Sequence, residues 1–105
     1  MKLHNYTPHK IRVFKKDGSY IELESTGIAR VRVYQENSRI KHGIQFCEVT
    51  KEEVDGLPEP KHNHYYIVSS MVQLASDRKD LLSPTDFVMN HKGIRVGCRR
   101  LRERR

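Results

Sequence analysis

Ser69 and Ser70 sit where the chain changes period, and that change is what gives them chemistry. Before them, Tyr65, Tyr66, Ile67 and Val68 form a β-branched and aromatic run that reads as a buried strand. After them, Met71, Leu74 and Ala75 recur at helical spacing, with Ile67 one turn earlier, which predicts a helix with one apolar face. A helix starting directly off a strand aims free N–H groups and the positive end of its dipole at one point, and serine hydroxyls add short donors. Such a point attracts an anion. A plain N-cap is the competing reading of the same serines. Phosphate binding would need cations from elsewhere: Arg30 from one strand, Arg99 from a closing hairpin, and Arg78 or Lys79 from a neighbouring subunit. Arginine forks hold phosphate bidentately and stack on adenine.

Other chemistries find less support. His62 and His64 can present two imidazoles on one side of an extended segment, but no nearby Cys, Asp or Glu completes a metal set. Ser69-Ser70 lacks the glycines of a nucleophile elbow, and no phosphate-binding Gly-rich loop is present. The glutamates fall on strands and turns that face solvent by default. A binding protein without cofactor or metal is expected rather than an enzyme, with a phosphodiesterase-like activity as the remote alternative.

The elements that must position these residues are mostly strands. Residues 3–9 read as an irregular lead-in, and residues 10–14 and 19–23 as a hairpin across Lys16-Asp17-Gly18. Residues 28–34 alternate, with Ala29, Val31 and Val33 on one face and Arg30, Arg32 and Tyr34 on the other. That second face suits phosphate and base, or is simply solvated. Residues 35–42 read as a polar connector, 43–50 as a strand and 51–55 as a charged turn. After the Pro-bracketed turn at 57–60 come the strand and helix already described. Asp77 to Asp80 then closes the helix, Leu81-Leu82-Ser83-Pro84 is an apolar anchor and a stop, and residues 86–98 form a closing hairpin. On its second strand Arg95, Gly97 and Arg99 should share a face. The sum is an α+β class: an antiparallel β-rich small domain with one main helix.

One domain fits 105 residues, and a hydrophobic content of 36% without Trp implies a thin core finished by self-association. No apolar run is long enough for a membrane span, and no signal peptide is visible. Cys47 and Cys98 stand far apart without a CxxC, as expected of reduced thiols in a cytosol. The net charge of +7 is uneven: residues 99–105, RRLRERR, carry five Arg against one Glu. The expected organisation is therefore a domain over 1–98 and a basic tail over 99–105. A nucleic-acid-binding module using that tail and the Arg30/Arg32 face is the alternative to a small-ligand site.

The ordered motifs LHNYTPHKI, GIARV, GLPEP, YYIVSS, DLLSP and GCR span residues 3–101. Their order and spacing resemble a family of small bacteriophage proteins, the anti-Thoeris sponges. The resemblance implies sequestration, without degradation, of a glycosidically cyclised ADP-ribose signal, and so evasion of bacterial immunity in the host cytoplasm. It also implies a homo-oligomer, a dimer or a trimer of dimers, and in some members a separate site for cyclic oligonucleotides. Arg30 and Arg99 match the family's adenine- and phosphate-binding arginines. The stacking residue has no sure counterpart; Met71 is the nearest position and Phe87 the second. The Arg-rich tail Arg100 to Arg105 extends beyond the match.

Overall fold

Alternating and β-branched segments dominate the chain, and the computed structural model, which describes residues 1–104, turns most of it into strands. They are β1 (Lys2–Asn5), β2 (Ile11–Phe14), β3 (Tyr20–Leu23), β4 (Arg30–Lys41), β5 (Ile44–Asp55), β6 (His64–Ile67), β7 (Leu81–Met89) and β8 (Arg95–Glu103), with α1 (Ser70–Ala75) between β6 and β7. The fold is a small β-rich domain with one short helix, as the sequence predicts. Six strands form a sheet in the order β1-β6-β7-β8-β2-β3, and β4 and β5 pair only with each other. The sheet is mixed: β1–β6, β6–β7 and β8–β2 run parallel, while β7–β8 and β2–β3 run antiparallel.

Several sequence expectations are corrected by the strands themselves. The lead-in contains β1, which pairs with β6 from Lys2–His64 to Asn5–Ile67. The polar connector at 35–42 and the charged turn at 51–55 are instead the outer and inner parts of a long ribbon, β4–β5, turning at His42 and Gly43. Both turn residues have positive φ, 53° and 74°, which suits a tight hairpin. The ribbon is largely exposed on both faces, so its strands carry no inside-outside alternation for a sequence reading to detect. The supposed anchor and stop at 81–84 opens β7, which continues through Pro84. Strand β6 pairs with β7 only at Leu81 and Leu82, so Pro84 lies beyond that neighbour's reach.

The largest correction concerns the carboxy end. Residues 99–103 are not a tail but the second half of β8, pairing Arg100 with Thr85, Leu101 with Pro84, Arg102 with Ser83 and Glu103 with Leu82. The expected boundary at residue 98 therefore cuts through an inner strand; Arg105 lies outside the described residues. Alternation hid this, because arginines on a strand with one wet face read like solvated charge.

The core gathers where β6, α1 and β7 meet. Ile67, Val68 and Leu81 are fully buried, and Tyr66, Val72 and Ala29 nearly so. Helix α1 faces this core with Val72 and Gln73, whereas Met71 and Leu74, expected on its apolar face, are 70% and 73% exposed. The reason is a polar staple. Gln73 Nε2 donates to the Leu81 and Arg102 carbonyls (3.0 and 2.8 Å), and Ser83 Oγ donates to Gln73 Oε1 at 2.7 Å. A buried glutamine satisfied this fully can outbid an apolar side chain for the inward position. Below the ribbon, Gly56 has φ 95°, and a Cβ there would lie 2.1 Å from the Ile28 carbonyl oxygen, so only glycine fits.

Candidate functional site

The strand-to-helix junction forms one wall of a cleft of about 730 Å³. Thr7, His9, Lys10 and Arg12 line it from the amino-terminal loop and β2, Ser69 and Ser70 from the junction, and Phe87, Arg95, Cys98 and Arg102 from β7 and β8. No carboxylate lines it among the described residues.

The loop is held by Asn5, which is buried at 1% exposure. Its Nδ2 donates to the His9 and Leu23 carbonyls (2.8 and 2.9 Å), and its Oδ1 accepts from the Thr7 amide and hydroxyl (2.9 and 2.6 Å). Every polar lone pair and proton that matters is thus engaged, which fixes the His9–Lys10 rim. Sequence reading passed over Asn5; the signal available was its place two residues before Thr7-Pro8, where an Asx turn is common.

The basic residues of the cleft divide into committed and free. Arg12 donates to Glu22 from Nη2 at 2.6 Å and Nε at 3.1 Å, and covers the Tyr20 ring at 4.1 Å. Lys10 lies 3.3 Å from the same Glu22. Arg12 and Lys10 together hold the Glu22 carboxyl below its ordinary pKa, with the Arg12 hydrogen bond the larger cause. Arg95 and Arg102 have no carboxylate partner among the described residues. Arg95 instead lies over Phe87, its Cζ 3.9 Å from the ring centroid. The Cys98 thiol is pushed above its ordinary pKa, mainly by burial, and so stays protonated and inert.

The residues singled out by sequence are distributed over three places. Ser69 and Ser70 are in the main cleft, as is Phe87. Ser69 acts as the N-cap: its Oγ accepts from the Val72 amide at 3.3 Å. With only six residues in α1, the dipole contributes little, and the anion-attracting capacity of this wall rests on the Ser70 hydroxyl and the facing arginines. Arg30 and Met71 line a smaller neighbouring cleft of about 270 Å³, and Thr7 and Ser69 line both. Arg99 lies elsewhere, in a third cleft with Lys15 and Lys16. Arg95 does not share a face with Arg99 as expected, because the β7–β8 register slips between Val88 and Met89. That bulge turns Arg95 to the side where Cys98 points.

Arg78 is withdrawn from any ligand by its own chain. It donates to Asp80 twice, Nε–Oδ1 at 2.9 Å and Nη2–Oδ2 at 2.6 Å, and to the Pro58 carbonyl at 2.9 Å. It thereby clamps the GLPEP turn beside Tyr66, whose ring centroid is 5.6 Å from its Cζ. His64 pairs not with His62 but with His4, Nδ1 to Nε2 at 2.8 Å, and burial lowers its pKa. Among the described residues no three His, Cys, Asp or Glu side chains gather as a metal set. No helix is long and apolar enough to cross a membrane.

No relative comes to hand. No protein-family model matches the chain, and neither a curated protein nor a solved structure matches it. The cleft must be read from its own chemistry. It offers a flat guanidinium on an aromatic ring, a second unpaired guanidinium, a free serine hydroxyl, and no acidic group to repel an anion.

Proposed function

We propose that the protein is a non-catalytic sponge for a small cyclic nucleotide signal, a cyclised ADP-ribose, that it holds intact and so withdraws from an antiviral defence. The observation that carries this reading is the pairing of Arg95 with Phe87 across from Ser70 and Arg102 in one acid-free cleft. An adenine can stack on the exposed side of the Arg95 plane, while the diphosphate meets Arg102 and the Ser70 hydroxyl. A cleft of about 730 Å³ accommodates a ligand of this size. The neighbouring Arg30–Met71 cleft, joined through Ser69, extends the same surface. Holding rather than cleaving is supported by the lining: the thiol of Cys98 is buried and protonated, and Ser69 Oγ is occupied as a cap. In this reading the setting is phage-encoded and the place of action the host cytoplasm, as the resemblance to anti-Thoeris sponges implies. A homo-oligomer completes the proposal, supported by a long exposed ribbon.

Calorimetric titration with cyclic ADP-ribose isomers tests the proposal, followed by heating and recovery of the ligand. The expected result is saturable uptake and release of unaltered ligand. Arg95→Ala and Arg102→Ala should each weaken uptake by tenfold or more, since each removes charge-assisted contacts worth about 1.5–3 kcal/mol. Absence of uptake at micromolar protein would remove the proposal, and recovery of a cleaved product would replace it with an enzyme.

A further inference from the structure

Phe87 and Cys98 line the main cleft, whereas Asp86, Val88 and Arg99 line another of about 370 Å³. This second cleft lies between the turn after β2 and the β7–β8 ladder. Lys15, Lys16, Arg99 and Arg100 rim it, and Asp86 is its one acidic lining residue, 3.6 Å from Arg100. The nearby Asp17 is engaged with the Ser19 amide and hydroxyl at 2.9 and 2.6 Å. Lys15, Lys16 and Arg99 have no ion-pair partner among the described residues. The floor is Phe14, which meets the half-exposed Tyr20 ring edge-on at 5.6 Å.

We infer that this second cleft binds the phosphodiester backbone of a single-stranded nucleic acid. Four cations against one carboxylate exceed what a single phosphodiester needs, and match a run of about three. The aromatic floor favours a single strand over a duplex, because a base must be unstacked to lie against Phe14. Arg99 and Arg100 are carried on an inner strand, bonded to β7 and close to β2, so they are preset rather than borne on a loose tail. Ordering them on binding therefore costs little entropy. The site shares no lining residue with the main cleft, so it stands or falls apart from the sponge reading.

The test is fluorescence anisotropy with labelled oligothymidine and oligouridine of about ten nucleotides, over about 50 to 200 mM salt. The expected slope of log affinity against log salt is roughly −2, from about three phosphate contacts at −0.7 each. Lys15→Ala with Lys16→Ala, and separately Arg99→Ala, should weaken binding about tenfold and flatten the slope; Arg99→Lys should restore most of it. Arg95→Ala with Arg102→Ala should leave it unchanged. Lys15 and Lys16 are exposed turn residues, so their variants fold whatever their effect on binding. No binding at the lowest salt overturns the inference, as does loss through Arg95 and Arg102 alone. Equal binding of duplex overturns it too, and so does equal competition by inorganic triphosphate, which would make this a polyphosphate site.

Discussion

Arg78 and Arg102 carry the same side chain to opposite ends. Arg78 has a bidentate carboxylate, a carbonyl and a ring about it; Arg102 lines the cleft and has no ion pair among the described residues. Stability and binding should divide accordingly. Arg78→Ala leaves Asp80, whose side chain is only 17% exposed, without its cation, and frees the Pro58 turn from its clamp. A loss of about 2 kcal/mol is expected, moderated by the remaining solvent access. A lowered urea midpoint with unchanged slope would register it. Arg78→Lys should recover only part, since an ammonium cannot reproduce the fork. Arg102→Ala should leave the midpoint in place. If Arg78→Ala instead spared stability and abolished ligand uptake, the structural account of that residue would be wrong.

Among the elements, β8 decides most. It lies between β7 and β2, its Arg102 carbonyl accepts from buried Gln73, and Arg104 Nη1 donates to the Gln73 carbonyl at 3.0 Å. Deleting residues 99–105 therefore removes half an inner strand and the anchor of α1. The expected outcome is loss of cooperative unfolding in circular dichroism, whereas a solvated tail could be cut without effect. Residues 65–68 are legible because burial leaves its mark on residue type, 11–14 by their alternation, and 70–75 by helical spacing, although the face that spacing marks, Met71 and Leu74, is exposed. The sequence is silent where both sides are wet, as in residues 35–42, or where charge lies on a strand, as in residues 99–103. The junction serines and Phe87 were legible as site residues. Arg95 was not, because its side depends on a bulge that no local pattern announces. Arg102 escapes for a simpler reason: a run of arginines at the end of a sequence reads as a solvated tail.

At the scale of the molecule, the ribbon is the feature a lone chain cannot explain. The radius of gyration is 17.2 Å, against about 13 Å for a compact chain of this length. Strands β4 and β5, twelve residues each, would reach about 40 Å if fully extended. At the root, Val31 and Val54 pack against the core cluster. Beyond the root, Val33 and Val49 are 42% and 52% exposed, and at the root Met71 and Leu74 of α1 stand out near Val31 and Val54. A two-stranded ribbon in water is marginal by itself, and the apolar strip leading from the core is left half covered. Charge favours a second copy as its cover. Strand β4 has a surplus of cations and β5 a surplus of carboxylates, so two ribbons laid face to face about a two-fold axis can set opposite signs together. Light scattering should then give a dimer or a multiple of it at micromolar protein, with an unfolding midpoint that rises with concentration. Val33→Lys combined with Val49→Lys should shift the protein to monomer and lower that midpoint. A monomeric wild type with a concentration-independent midpoint would mean that the ribbon stands alone, and self-association would drop out of the proposed function.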